Sequence, residues 1–80
     1  MDDLIERFAE AADHIATIQD NDGFEVNLFV RSSGIMVEVC DRANEQINER
    51  LIVWQVLKLA GENPLIIEMD AMFAAFPQTN

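Results

Sequence analysis

Asp20, Asp22 and Gly23, in the stretch IQDNDGFE, have the types and spacing of half a calcium loop. A complete EF-hand loop needs oxygen ligands at positions 1, 3 and 5, glycine at 6 and a bidentate glutamate at 12. With Gly23 at position 6, position 1 falls on Ile18 and position 12 on Phe29, neither of which carries a carboxylate. No metal is expected here. The stretch reads instead as a turn, because Asn, Asp and Gly release a helix into a strand at little conformational cost.

The remaining reactive side chains lack partners. His14 is the sole histidine and has no second nitrogen ligand or hydroxyl nucleophile at readable spacing, so it reads as a residue at the edge of a helix surface. Cys40 ends an apolar alternating run without a second cysteine nearby, and only Arg42 could favour its thiolate. Ser32 and Ser33 sit in RSSG, a turn sequence, and no nucleophile elbow or phosphate-cradling glycine loop occurs. The expectation is a protein without catalytic residues, cofactor or metal.

The elements that carry these residues follow from apolar periodicity. Leu4, Phe8, Ala11, Ile15 and Ile18 recur at alternating steps of four and three, which predicts an amphipathic helix over 2–19. On that wheel Asp2, Asp3, Glu6, Glu10, Asp13 and the trailing Asp20 share an arc of about 100° on the far side. After Gly23 the period becomes two, through FEVNLFV, RSSG and IMVEVC, which is a β-hairpin signal. Pairing Val30 with Ile35 sets Leu28 against Val37 and Val26 against Val39, so one face is apolar. Phe29 and Met36 form an apolar spot on the other face.

Asp41 then reads as the cap of a second helix running to Lys58, Leu59 and Ala60, with Gly61 ending it. Ala43, Ile47 and Leu51 make its stripe, and eight of the ten residues 51–60 are apolar and point all round the axis. Asn63 and Pro64 start a last element, read as a short helix over 64–76 and alternatively as a strand over LIIEM. The expected fold is therefore a single α+β domain over 1–80, of order α-β-β-α-α, an antiparallel hairpin packed against helices. The third element is open to reading as a strand plus short helix.

Length and charge bound the function. An 80-residue chain holds one small core and is commonly reinforced by disulfides, metal or oligomerisation. One cysteine excludes an internal disulfide, and with no basic leader segment it suggests a reducing, cytoplasmic setting. No apolar run is long enough to cross a bilayer. The apolar run around Trp54 is expected to form a homodimer through Leu51, Val53, Trp54, Val56 and Leu57, a central helix covered by its own chain being the alternative.

Fifteen acids against five bases give a net charge of −10, which disfavours contact with nucleic acid or anionic membranes. The charge is uneven: residues 1–25 carry −7 and residues 26–61 carry zero. Carboxylates repeated along one helix face can imitate phosphates and enter a basic groove. The leading expectation is a non-enzymatic inhibitor that binds a protein partner with a basic surface, through Asp3, Glu6, Glu10, Asp13, Asp20 and Asp22. It would compete there with nucleic acid, on a host defence or DNA-processing protein. Small inhibitors encoded by phages and mobile elements are similar in size and acidity. The alternative is a small acidic dimeric chaperone or structural module that binds through apolar surface, with Phe29 and Met36 as its contacts.

Overall fold

The computed structural model describes residues 2–21 and 23–76, with backbone only for 2, 3 and 21. Helix α1 spans Asp2–Asn21, followed by strands β1, Phe24–Arg31, β2, Gly34–Asp41, and β3, Gln46–Val53. A single helical turn, α2, Trp54–Leu57, and helix α3, Pro64–Ala75, complete the order α-β-β-β-α-α. The α+β class and the hairpin are as the sequence indicates. The sheet is an antiparallel meander, β1-β2-β3, and its first pairing sets Val30 with Ile35, Leu28 with Val37 and Val26 with Val39.

Among the described residues, one sheet face is covered and the other is not. The core joins Val26, Ile35, Val37, Val39 and Ile52 from the strands to Ala11 and Ile18 of α1 and Leu65, Met69 and Met72 of α3. All five strand residues lie on the same face, because their spacing along each strand is even and their cross-strand partners align. Leu4, Phe8 and Ile15 pack against this core, so α1 buries the stripe read from its periodicity. Phe24 on β1 meets Phe73 and Phe76, with ring centroids 4.9 and 5.6 Å apart, which ties the start of the sheet to the end of α3.

The helix expected from Asp41 to Gly61 is not formed, which corrects the predicted order. Residues 46–53 make a third strand, and only Trp54–Leu57 are helical. Ile47 and Leu51 are four apart, a spacing that keeps two residues on one side of a helix and also on one side of a strand. Their β-branched neighbours Ile52 and Val53 favour the strand, and pairing to β2 gives the hairpin the third strand that a stable sheet needs. Asp41 does cap, but it caps a turn. Its Oδ1 accepts from the backbone N–H of Ala43 and Asn44 at 3.1 and 3.4 Å, and Glu45 at φ 53° completes the reversal.

The last element is a helix, not a strand. Asn63 accepts from the Leu65 N–H at 3.1 Å and Pro64 occupies its first turn. Gly34 is required by crowding: a Cβ there would collide with the backbone carbonyl of Ile52 on β3.

Candidate protein-binding surface

The sheet face turned away from the helices is built from alternate residues of three strands. Its central row is Phe29, Met36 and Leu51, joined by direct cross-strand pairing. Phe29 is 36% and Leu51 38% exposed, and Met36 is half-buried between them. Val53 and Ile47 add further exposed apolar surface on the same face, at 41% and 63%. Direct neighbours across a ladder stand about 5 Å apart at Cβ, so the row forms a continuous band. Among the described residues, none of these side chains joins the core.

Met36 and Phe29 were legible from the hairpin register alone. Leu51 completes the row because residues 46–53 are a strand, which places it beside Met36 instead of on a helical dimer face.

The expected dimer residues are divided by the correction above. Leu51 and Val53 lie on the open sheet face, and Val56 is 40% exposed on α2. Leu57 is 1% exposed and belongs to the core. Trp54 is half-buried and tied to the β1–β2 turn: its Nε1 donates to the Ser32 carbonyl at 2.9 Å and its backbone N–H to that of Ser33 at 3.3 Å.

The acidic residues of α1 face solvent. Glu6, Glu10, Asp13 and Asp20 are exposed, and no ion pair engages them among the described residues. Asp3 lies in α1, with its side chain outside what is described, and Asp22 lies outside the described residues. Arg7 forms no ion pair with the stripe among the described residues. Its guanidinium donates to the carbonyls of Leu57, Leu59 and Gly61 at 2.9, 2.7 and 3.2 Å, holding the loop after α2 against α1. Sequence reasoning gave Arg7 no role, since nothing in the chain shows which carbonyls lie fifty residues away. A shallow cleft of about 320 Å³ beside it is lined by Glu6, Arg7, Glu10, Ala60 and Gly61 and opens to solvent.

The two reactive residues are accounted for structurally. His14 Nε2 lies 2.8 Å from Asp70 Oδ1, linking α1 to α3 at a partly exposed edge. Burial pushes the Cys40 thiol above its ordinary value, and the negative Glu38, which accepts from Sγ at 3.6 Å, pushes it further. A thiol held protonated is a poor nucleophile. Among the described residues no three acidic, histidine or cysteine side chains converge as a metal site.

The fold and this surface define a class: a small two-layer α+β domain with two helices behind a three-stranded sheet and an open, apolar-banded front. No protein-family model matches the chain, and neither a curated protein nor a solved structure is significantly similar to it. Among the described residues no helix is long and apolar enough to cross a membrane.

Proposed function

We propose that this chain is a non-enzymatic, chaperone-like binding module that holds apolar segments of a partner protein on its open sheet face. The observation that carries this reading is the band Phe29–Met36–Leu51, spread over three strands and left uncovered by either helix. Apolar side chains gathered on one face mark contact sites more often than the same residues scattered singly. The high negative charge keeps such a surface soluble, and a cytoplasmic location fits the single thiol.

The test is suppression of aggregation of a reduced or heat-unfolded client protein, followed by light scattering. The wild-type chain should suppress scattering, and the F29S/M36S/L51S variant should lose the effect while still unfolding cooperatively. Equal suppression by both proteins, or none by the wild type in molar excess, overturns the reading.

A second reading is favoured by a separate observation, the solvent-facing carboxylates Glu6, Glu10, Asp13 and Asp20 on α1, which form no ion pair among the described residues. In it the helix enters a basic, nucleic-acid-binding groove on a host protein and inhibits by competition. Reversal of Glu6, Glu10 and Asp13 to lysine would then abolish partner binding, and affinity would fall with salt. An affinity indifferent to both changes rejects it.

A further inference from the structure

The open face is not uniform along the strands. One ladder step from the apolar band lie Asn27, Glu38 and Glu49, and beyond them Glu25, Cys40 and Ile47. Glu38 and Glu49 are direct cross-strand partners, an arrangement in which like charges oppose each other and weaken the sheet. Among the described residues no cation forms an ion pair with Glu38 or Glu49. Arg42 pairs with Glu25 at 2.9 Å, Arg50 turns to the covered side and meets Glu68 at 2.6 Å, and Arg31 lies 5.2 Å from the Phe29 ring centroid. Asn27 donates its amide to Glu38 at 3.0 Å and to Glu25 at 3.3 Å, which orients the carboxylates without neutralising them.

An apolar band flanked by an uncompensated carboxylate pair selects its occupant by charge. A second copy docked by the same face would set its own Glu38–Glu49 pair near this one, and nucleic acid or an anionic membrane would be repelled in the same way. We propose that the occupant is an amphipathic, basic polypeptide segment of another protein. Its apolar side chains meet Phe29, Met36 and Leu51, and its lysine or arginine residues meet Glu38 and Glu49 one ladder step away, about 7 Å along the strands. This inference rests on the reading of the open face as the binding surface and adds to it the chemistry of the partner.

The experiment titrates two labelled synthetic peptides, one alternating leucine with lysine and one alternating leucine with glutamate, against the full chain by fluorescence anisotropy. The lysine peptide should bind about tenfold more tightly than the glutamate peptide, within the range that two exposed charge pairs supply. E38Q/E49Q should remove most of that preference and flatten its salt dependence, whereas E6Q/E10Q/D13N should leave most of it in place. F29S/M36S/L51S should weaken both peptides. Equal affinity for the two peptides, or a preference removed by the helix substitutions and kept by E38Q/E49Q, overturns the assignment of a basic partner. If F29S/M36S/L51S binds both peptides as the wild type does, the reading of the face itself fails, and with it the inference.

Discussion

Arg7 on α1 donates to the backbone carbonyl of Leu57 at 2.9 Å, a contact across fifty residues that fixes the exit of α2 against the first helix. The same guanidinium reaches Leu59 and Gly61, so one side chain satisfies three carbonyls of a loop with little regular structure. Charged donors contribute more than neutral ones, and R7A should cost about 1–3 kcal/mol in urea unfolding. R7K should recover only part of this, because an ammonium lacks the planar fork. Amide exchange in residues 57–61 should accelerate in both variants.

The two sides of the sheet should respond differently to truncation. Ile35 is fully buried against the helices, and I35A should cost about 2–5 kcal/mol through lost burial and the cavity left behind. L51S, on the open side of the neighbouring strand, should cost less than about 1 kcal/mol. Chemical denaturation of both variants checks the contrast, and a large loss in L51S would mean that the front is covered.

Gly34 and Gly23 separate crowding from backbone preference. Gly34 has no room for a Cβ beside the Ile52 carbonyl, so G34A should disrupt the pairing of β2 with β3 and lower the unfolding midpoint severely. Gly23 has φ 74° and open space around its Cβ position, so G23A should carry only the left-handed penalty of about 1–2 kcal/mol. Circular dichroism melts compare them directly.

Cys40 provides a pH-dependent readout. Because burial, and then the charge of Glu38, disfavour its thiolate, alkylation at pH 8 should be slower than for an ordinary cysteine. Its rate should keep rising beyond the pH at which an exposed thiol levels off. E38Q should accelerate it. The sign for stability follows: the raised thiol contributes fully below its unfolded-state value, and that contribution is lost as pH rises through the folded one.

The hairpin was legible in the sequence because Val26, Leu28 and Val30 on one side, and Ile35, Val37 and Val39 on the other, alternate strictly and admit one register. The third strand was not. Ile47 and Leu51 satisfy helical and extended spacing equally, and Asp41 makes the same side-chain bonds in a turn as it would at a helix start. That ambiguity also concealed the site, since Leu51 joins Phe29 and Met36 only when 46–53 pairs with β2. Once the strand is in place, the repulsive pair Glu38–Glu49 follows from the register. The acidic face of α1 could be read directly, because a helix wheel needs no tertiary information. The Arg7 contacts could not, because they depend on where a remote loop comes to rest.

The most direct test of the open face is an NMR titration of the isotopically labelled chain with the leucine–lysine peptide. The account predicts amide shift changes concentrated at Phe29, Met36, Glu38, Glu49 and Leu51, with α1 little affected. Changes centred on Glu6, Glu10 and Asp13, with the sheet unperturbed, would contradict it.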